Sequence, residues 1–409
     1  MFKVAILVDL ELSRTSGGHV KFWERIYKSL EKENLDCCME LFFLGKKKDR
    51  KVVNKFISLN TIKPIISSSF LRFFGIDADN TDLSPINPNL YLRLKKFDLI
   101  HTTDQLFTMA KTAKLVSKKY NIPLTTSYHT DAPSYTKFYV SKVLRYLPFS
   151  SYLIDKLKLP EKVAANQTTN IISYFKYCKK IMISDFSYDH FRVEDFKDKI
   201  IKLERGIDKK IFKKKNVNKL NFLRKYNINF DHKIIFFCGR IHELKGALLL
   251  SKVHKILNSR NHKVTTILAG QNFQGDECRS LGGTNLLLLD HIDEKEISSF
   301  MNICDLFVFP SLYETGPQVV LEAKSCEAVC VVSPKGGGRR IRKNGEDGII
   351  IKKYEANLWA EKIEGLLINN EKINLIKKKL KNDNLQKSWK DIFFLYFLKN
   401  WKELVKNYE

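Results

Sequence analysis

The 409-residue sequence lacks the patterns that mark several common classes of protein. Its eight cysteines form no CxxC pair. Because neither a zinc-binding spacing nor a secretion signal is present, reduced cytosolic thiols are the simplest interpretation. No apolar run approaches the roughly 20 residues that span a bilayer. The GxGxxG and P-loop patterns are also absent, which excludes nucleotide sites of those two types.

The N-terminus has only a short apolar run, residues 4–8, which Asp9 and Glu11 interrupt. This pattern predicts a first β-strand rather than a signal peptide. With 44% hydrophobic and 12% aromatic residues, the chain can bury a substantial core, so disorder is not expected. Its length favours two domains of about 200 residues each.

Acidic residues are too few to balance the basic ones, and the formal net charge is +26. Residues 1–205 contain 35 Lys and Arg against 22 Asp and Glu, so the two halves share the excess equally. An even spread is typical of a solvated, lysine-rich surface. A polyanionic partner, either an anionic membrane leaflet or nucleic acid, is an equal alternative.

Strands alternate with helices along the sequence, and the pattern starts twice. In the first half, one clear helix pattern covers residues 108–120, and strand patterns occur at residues 4–8, 97–103, 123–130 and 179–184. After a lysine- and asparagine-rich stretch, residues 209–229, one strand pattern ends at Gly239 and others occur at residues 264–270, 285–290, 305–310, 328–333 and 348–351. This alternation predicts βαβ units and parallel sheets.

The second start of the pattern predicts an α/β fold with two successive βαβ domains that form a cleft. We assign residues 1–205 to the first domain and residues 206–385 to the second. The last stretch, residues 386–409, is rich in aromatics and is predicted to form a helix that crosses back to the first domain.

Several candidate site residues follow predicted strands, and ligands of parallel sheets bind at the carboxyl ends of the strands. In the first half these residues are Gly17, Gly18 and His129. Two interpretations of His129 stay open, a group that reaches a reacting oxygen or a histidine with a structural role.

Arg240 and Lys245 stand on one short turn after a strand. Two such cations can hold a diphosphate, together with free helix-terminal N–H groups. The alternative is that both are ordinary surface cations. Residues 334–340, PKGGGRR, offer three glycines beside two arginines after another strand, and glycine lets the backbone approach a ligand closely.

Glu314 and Glu322 stand in the stretch SLYETGPQVVLEAKSC, residues 311–326, with seven residues between them. The stretch predicts a turn and then a helix that begins at Pro317. Val319 precedes Glu322 by three residues and Cys326 follows it by four, so Glu322 is predicted to face the interior. A carboxylate there is costly unless it is hydrogen-bonded, so we expect a partner for it.

Several motifs of the sequence resemble those of a known family. GRIHELKG, FVFPSLYETGPQVVLEAKSC and SPKGGGRRIRKNGEDGIII, in this order and spacing, resemble the donor domain of retaining family 4 glycosyltransferases, which have the GT-B architecture of two Rossmann-like domains facing a cleft. SGGHVKFWERIYKSL and TSYHTDAPSY resemble the acceptor domain of the same family. SYHTD and ERGIDKKIF are similar to the branch that glycosylates diacylglycerol-type lipids.

The resemblance implies roles for the glutamates and for the turn between them. Glu322 would accept hydrogen bonds from the ribose hydroxyls of a sugar nucleotide. Glu314 would hold hydroxyls of the donor sugar, together with backbone N–H groups of the turn. Pro317 has no N–H, so Gly316 and Gln318 would supply them.

The remaining roles follow from the same resemblance. Arg240 and Lys245 would neutralise the diphosphate, and His129 would stand beside the transferred sugar. Gly17, Gly18 and Val319 would contribute to substrate binding.

The resemblance also implies a reaction. A hexose would pass from a UDP- or GDP-linked sugar to a diacylglycerol-type membrane lipid, with retention of anomeric configuration. Attack from the front face would let the leaving phosphate take the acceptor's proton. Arg240 and Lys245 would stabilise the leaving oxygen in place of a metal ion, so we expect neither a metal site nor a cofactor.

Two alternatives stay open. The same chemistry on a soluble, polysaccharide or lipopolysaccharide acceptor predicts activity without membranes. The charge alone also fits a non-enzymatic polyanion-binding protein, but that hypothesis leaves Glu314 and Glu322 unexplained. The expected partners are therefore a nucleotide-sugar donor, a lipid acceptor and an anionic membrane surface, and not nucleic acid.

The expected location is peripheral, on the cytoplasmic face of the cell membrane. Residues 137–158, KFYVSKVLRYLPFSSYLIDKLK, follow SYHTD closely. They interleave apolar side chains available for insertion with cations. The apolar residues are Phe138, Tyr139, Leu144, Tyr146, Leu147, Phe149, Tyr152 and Leu153, and the cations are Lys137, Lys142, Arg145, Lys156 and Lys158. Such a segment can lie in the bilayer interface with its cations on anionic headgroups. The alternative is a helix that packs against its own domain.

Overall fold

The structure is a computed structural model that describes residues 1–13, 18–47, 49–69, 80–184, 193–314, 316–382 and 386–407. Its internal contacts divide the chain into two compact units. The first unit comprises Met1–Glu204 and Trp389–Glu409, and the second unit comprises Arg205–Ser388.

The first unit is built on a mostly parallel sheet. Its strands are β1 (Phe2–Glu11), β2 (Cys37–Leu44), β3 (Arg50–Asn54), β4 (Ile57–Ile62), β5 (Leu99–Thr102), β6 (Leu124–Tyr128), β7 (Lys180–Ile183) and β8 (Ile200–Lys202). They are hydrogen-bonded in the order β3-β4-β2-β1-β5-β6-β7-β8. The β3–β4 pair is antiparallel, and the other pairs are parallel.

The first unit also contains helices. They are α1 (Gly18–Ser29), α2 (Pro88–Leu94), α3 (Thr108–Tyr120), α4 (Ala132–Leu144) and α5 (Leu159–Tyr177), with a π-helical turn at Tyr152–Lys156 and a 3-10 helix at Val193–Lys199. Of these, α1, α2, α3 and α5 contribute to the cores on the sheet. Helix α3 has the bounds that its sequence pattern predicts. It ends because Asn121 adopts the left-handed conformation, with φ 52°, and donates its N–H to the carbonyl oxygen of Ser117.

The second unit is built on a sheet in which all described strands are parallel. These are β9 (Lys233–Cys238), β10 (Val264–Ala269), β11 (Leu286–Leu289), β12 (Leu306–Phe309), β13 (Cys330–Val332) and β14 (Ile349–Ile350), in the order β11-β10-β9-β12-β13-β14. The helices are α6 (Lys219–Lys225), α7 (Ala247–Ser259), α8 (Gly275–Gly282), α9 (Glu294–Ile303), α10 (Gln318–Ser325), α11 (Ala356–Ile368) and α12 (Asn370–Asn382). Short 3-10 helices occupy Glu243–Lys245 and Gly338–Arg340.

The chain then returns to the first unit through α13 (Trp389–Ile392), a π-helical stretch (Phe393–Leu398) and α14 (Lys399–Lys406). Across the two units, no described helix combines the length and the apolar character that crossing a membrane would need.

The alternating pattern predicted from the sequence is confirmed, with one exception in the first unit. Strands β2, β3 and β4 follow one another without an intervening helix, which breaks the alternation by which the other strands are recognised. Strand β3 is also a largely exposed edge strand that begins with Arg50 and Lys51, and such charges are typical of edges. Strand β8 has only three residues.

Alternate residues of β1 pack on opposite faces of the first sheet. Val4, Ile6 and Val8 belong to the core formed with α1 and the C-terminal helices. Ala5 and Leu7 belong to the core formed with α2, α3 and α5. The sheet is therefore buried on both faces, which explains why β1 reads as a continuous apolar run.

The C-terminal segment supplies aromatic side chains to the first of these cores. Trp401 stacks on Trp23 of α1 with ring centroids 6.3 Å apart, and Phe397 meets the same Trp23 at 4.9 Å. The ring of His101 on β5 lies 5.3 Å from that of Phe397 and 5.5 Å from that of Trp401. Its two ring nitrogens are 2.9 Å from the hydroxyls of Thr125 and Ser127. Burial lowers the pKa of His101 to about 3, so this imidazole is neutral at ordinary pH.

We predict that Trp401→Ala lowers the free energy of unfolding of the first unit by about 3–5 kcal/mol, because it removes a fully buried indole from the core. Urea unfolding followed by circular dichroism measures the loss. Leu395→Ala is the matched control, since Leu395 stands in the same segment but is 48% exposed. Equal losses in the two variants would contradict the packing role of the segment.

Candidate functional site

The turn that follows β9 rests directly on the end of β12. It passes through the 3-10 helix at Glu243–Lys245 and ends at Gly246, whose φ is +84°. A Cβ atom at Gly246 would lie 2.4 Å from the carbonyl oxygen of Pro310, so both the backbone conformation and the available space require glycine. This close approach fixes where the turn lies.

Hydrogen bonds tie the turn after β9 to the turn after β12. The N–H of Leu312 donates to the carbonyl oxygen of Leu244 over 2.9 Å. The Ser311 hydroxyl lies 3.2 Å from the same oxygen and 3.1 Å from Oε1 of Glu314. Lys245 Nζ donates to that Oε1 over 2.6 Å. The side chains of Lys245 and Glu314 are only 14% and 16% exposed, so they form a largely buried ion pair.

Arg240 and Glu322 occupy the same edge of the second sheet. Arg240 is half-buried and follows β9 almost directly. Glu322 lies on α10, the helix that follows the turn after β12, and it is 4% exposed. The prediction that Glu322 faces the interior is confirmed. Helix α10 begins one residue later than predicted, at Gln318, with Pro317 as its N-cap.

The turn at Gly316, Pro317 and Gln318 packs against the start of the second unit. A Cβ atom at Gly316 would lie 3.0 Å from Nε of Arg205, so the Arg205 side chain lies against this glycine. Gln318 Nε2 donates to the carbonyl oxygen of Gly206 over 2.8 Å. Val319 is half-buried in the first turn of α10.

Arg205 is a site residue that the sequence analysis missed. Its side chain is 9% exposed, although it is charged and stands near the boundary between the two units. The sequence places it in ERGID, far from the glutamate motif, and no local pattern marks it as buried.

The glycine-rich turn after β13 also packs on the turn after β12. A Cβ atom at Gly336 would lie 2.6 Å from the carbonyl oxygen of Ser311. The Ser333 hydroxyl accepts from the N–H of Gly336 and donates to the same Ser311 oxygen. Nζ of Lys335 stands 5.6 Å from the ring centroid of Tyr313. Gly336 therefore serves close packing between the two turns.

A buried ion pair holds the arginines of PKGGGRR in place. Lys324 of α10 donates to Asp347 and to the carbonyl oxygen of Arg340, each over 2.6 Å. Burial opposes ionisation of Asp347, but hydrogen bonds from Lys324 and from the N–H groups of Lys343 and Arg342 hold its pKa below the usual value. Asp347 is therefore ionised at neutral pH and anchors the loop.

The candidates of the first unit stand at the carboxyl ends of its strands. His129 follows β6, is 6% exposed, and has its Nε2 2.7 Å from the Ser127 hydroxyl. Its ring lies 4.7 Å from that of Phe22 and 6.5 Å from that of His19, next to Gly18 at the start of α1. Gly17 lies outside the described residues.

No group of three or more His, Cys, Asp or Glu side chains within the described parts of the chain is arranged to hold a metal ion. In the second unit, the side chains that the structure brings together are cations and carboxylates at adjoining strand ends. Such an arrangement suits a ligand that carries both phosphate and hydroxyl groups.

Comparison with known families gives a match within the second unit. Residues 218–383 match the family model of glycosyl transferases group 1. This stretch includes Arg240, Lys245, Glu314 and Glu322.

Two curated relatives match over part of their length. N,N'-diacetylbacillosaminyl-diphospho-undecaprenol alpha-1,3-N-acetylgalactosaminyltransferase of Campylobacter jejuni is 30% identical over 184 residues, which are 44% of this chain and 48% of the relative. The capsular polysaccharide biosynthesis glycosyltransferase CapM of Staphylococcus aureus is 28% identical over 246 residues, which are 58% of this chain and 62% of the relative. The matches thus span about half to three fifths of these relatives.

Solved structures match the whole chain. Alr3699/HepE of Anabaena, solved with UDP and glucose, has a TM-score of 0.68 at 15% identity and is covered completely by 99% of this chain. Sucrose-phosphate synthase of Thermosynechococcus elongatus has a TM-score of 0.69 at 15% identity, with both chains fully covered. The protein therefore has the predicted GT-B glycosyltransferase fold of two Rossmann-like α/β domains, and its second unit contains the stretch that matches glycosyl transferases group 1.

Proposed function

We propose that the protein is a retaining glycosyltransferase that moves a hexose from a nucleotide-diphosphate sugar to a membrane lipid of the diacylglycerol type. The observation that carries the proposal is the Lys245–Glu314 ion pair at the adjoining ends of β9 and β12. It puts a cation suited to phosphate and a carboxylate suited to sugar hydroxyls side by side, inside the stretch that matches the family model.

Donor binding is proposed to exchange the partner of Lys245. In the structure its ammonium group donates to Glu314. A diphosphate offers anionic oxygens to Lys245 and Arg240, and Glu314 then becomes available to accept hydrogen bonds from the donor sugar. The exchange avoids leaving either partly buried charge without a partner, which would be costly.

Glu322 is proposed to hold the ribose. A carboxylate accepts hydrogen bonds only, so two neighbouring hydroxyls that both donate are a good match for it. The burial of Glu322 shields these bonds from water and strengthens them. HepE, which has the same fold, was solved with UDP bound.

The proposed chemistry depends on charge that develops in the transition state. The bond between the anomeric carbon and the phosphate oxygen breaks, while the acceptor oxygen bonds to the same face of that carbon. The leaving phosphate takes the acceptor's proton, and Arg240 and Lys245 stabilise its negative charge. Because the Gly246 contact fixes the turn in advance, these cations need little reorganisation, and loss of one such contact typically costs about 10²- to 10³-fold in rate.

The lipid acceptor is supported by an exposed apolar surface in the first unit. Tyr146 is 79% exposed, Phe149 is 82% exposed and Tyr152 is 52% exposed, between the end of α4 and the start of α5. The cations of this surface, all exposed, are Lys142, Arg145, Lys156 and Lys158. Aromatic side chains surrounded by cations suit the interface of an anionic membrane. We therefore propose peripheral binding at the cytoplasmic face of the membrane.

The structure corrects one detail of this surface. Leu144 is 7% exposed and packs inside the first unit, so it is not among the side chains available for insertion. The segment contains most of α4 and the π-helical turn at Tyr152–Lys156.

The names of two relatives refer to other classes of acceptor. The Campylobacter jejuni relative is named for a diphospho-undecaprenol acceptor, and the Staphylococcus aureus relative for capsular polysaccharide biosynthesis. The first of these acceptors is a lipid of the polyprenol type. The second name favours the alternative proposal, a soluble or polysaccharide acceptor, and that proposal requires activity without any membrane.

A thermal-shift panel of UDP, GDP and ADP, each with and without its sugar, tests the donor. We expect one nucleotide to raise the melting temperature, because a ligand at 100 times its dissociation constant adds about 2.7 kcal/mol of stability. Lys245→Gln is expected to abolish the shift. If none of the nucleotides stabilises the wild-type protein, the proposed function is wrong.

Variants of the two glutamates are expected to separate binding from catalysis. Glu322→Ala should weaken nucleotide binding, by about tenfold or more, because it removes hydrogen bonds to a charged acceptor. Glu314→Gln should lower kcat by about 10²-fold. It should leave nucleotide affinity unchanged or tighter, because Lys245 no longer has a competing partner.

Calorimetry with the nucleotide and initial-rate kinetics measure these effects. Glu371→Gln, at an exposed position on α12, is the control and should change neither quantity. The reverse pattern, with binding lost in the Glu314 variant and kcat lost in the Glu322 variant, would refute the assigned roles.

Vesicle co-sedimentation tests the membrane surface. Binding should require anionic lipid and weaken with salt, and changing Lys142, Arg145, Lys156 and Lys158 to Gln should reduce it strongly, since each cation near the surface is worth about 1 kcal/mol.

The matched control changes four exposed lysines elsewhere in the first unit, Lys32, Lys51, Lys55 and Lys118, to Gln. This control lowers the net charge by the same amount. If the variant of the proposed surface loses more vesicle binding than the control, the additional loss is due to that surface. Equal binding to neutral vesicles, or equal losses in both variants, would argue against it.

A further inference from the structure

A cavity of about 500 Å³ lies in the second unit, apart from the candidate site. Its lining includes Lys214, Lys215, Asn216, Lys219, Asn302 and Ile303. The cavity is open to solvent, since Lys214, Asn216 and Lys219 are exposed. Three of these lining residues are lysines, so the chemistry of the cavity is cationic.

The wall that carries the lysines is held in place by α9. The side-chain oxygen of Asn302 accepts from the N–H of Lys215 over 2.8 Å, and its Nδ2 donates to the carbonyl oxygen of Lys213 over 3.1 Å. The Ser298 hydroxyl donates to the carbonyl oxygen of Ile211 over 2.7 Å. The backbone of the lysine segment is therefore positioned before any ligand arrives, which lowers the entropy cost of binding.

The positive charge of this wall is not neutralised locally. Residues 209–230 contain eight Lys and Arg and no Asp or Glu. None of the ammonium groups of Lys214, Lys215 and Lys219 forms an ion pair with a described residue. Two nearby acids are already occupied, since Glu296 of α9 pairs with Lys225 and Asp305 pairs with Lys233.

The cavity stands at the opposite end of the strands from the candidate site. Its residues Asn302 and Ile303 end α9, which leads into the amino end of β12. Cys326, the C-cap of α10, has its Sγ 3.6 Å from the hydroxyl of Ser298 on α9, so the end of α10 that leads towards β13 lies on the same side. Glu314 instead follows the carboxyl end of β12, beyond a strand of roughly 13 Å.

We propose that this cavity is a second anion site that binds a phosphate-bearing group. Three lysines on a fixed backbone, with the exposed amide of Asn216 beside them, can surround a phosphate with charge-assisted and neutral N–H donors. Asn302 holds the backbone and has no N–H to spare, since its Nδ2 donates to the carbonyl oxygens of Lys213 and Ser298. The site does not depend on the proposed sugar transfer.

Binding of inorganic pyrophosphate to the full-length protein tests the proposal. Calorimetry should show saturable binding that persists in Lys245→Gln, the variant that disables the donor site. In that background, changing Lys214, Lys215 and Lys219 to Gln should weaken binding by about tenfold or more. Loss of all pyrophosphate binding with Lys245→Gln alone would overturn the second site.

The control changes Lys372, Lys378 and Lys379, three exposed lysines of α12 in the same unit, to Gln. It matches the change in net charge and should weaken pyrophosphate binding less than twofold. An equal loss in the two triple variants would show a diffuse charge effect and would refute the site. Amine labelling with mass spectrometry gives a readout on the unmutated lysines, which pyrophosphate should protect at 214, 215 and 219.

Phosphatidylcholine vesicles with and without phosphatidic acid identify the source of the phosphate. Capture on phosphatidic acid that the Lys214, Lys215 and Lys219 variant loses would identify a lipid headgroup. Saturable pyrophosphate binding without such capture would identify a free phosphate. If the three lysines affect neither soluble phosphate nor vesicles, the cavity is not an anion site.

Discussion

The close approach between Gly246 and the carbonyl oxygen of Pro310 is the constraint on which the geometry of the candidate site depends. Because the turn after β9 rests on the end of β12, the backbone of Leu312 can bond to Leu244, and the Lys245 ammonium group meets the Glu314 carboxylate. Gly336 brings the turn after β13 against the same place. Three strand ends are thus locked together by backbone contacts, and the charged side chains are positioned as a consequence.

Two glycines of the site are needed for close packing of the backbone. Gly246 and Gly336 stand where another backbone segment approaches, so they are structural requirements of the turns. A glycine-rich sequence after a strand is easily interpreted as a cradle for phosphate. Here both glycines lie against backbone atoms of another turn of the protein.

The sequence predicted the site where local rules suffice and failed where distant segments meet. Periodicity alone indicated that Glu322 faces inward, because burial along a helix repeats every three to four residues. Arg205 could not be found in this way, since its burial against Gly316 depends on how the start of the second unit folds onto the glutamate turn. Leu144 shows the converse case, an apolar residue in a cationic, aromatic segment that the fold uses for its own core.

The C-terminal segment has a consequence for the order of folding. The core around Trp23 needs Phe397 and Trp401, which the ribosome makes only after the whole second unit. The second unit is contiguous in sequence and can pack as soon as it emerges, whereas α1 must wait. At translation rates of about 5–20 residues per second, the wait lasts on the order of ten seconds or more. During that interval Trp23 lacks two of the aromatic rings that pack on it, so the core around α1 becomes complete only when the last residues of the chain have been made.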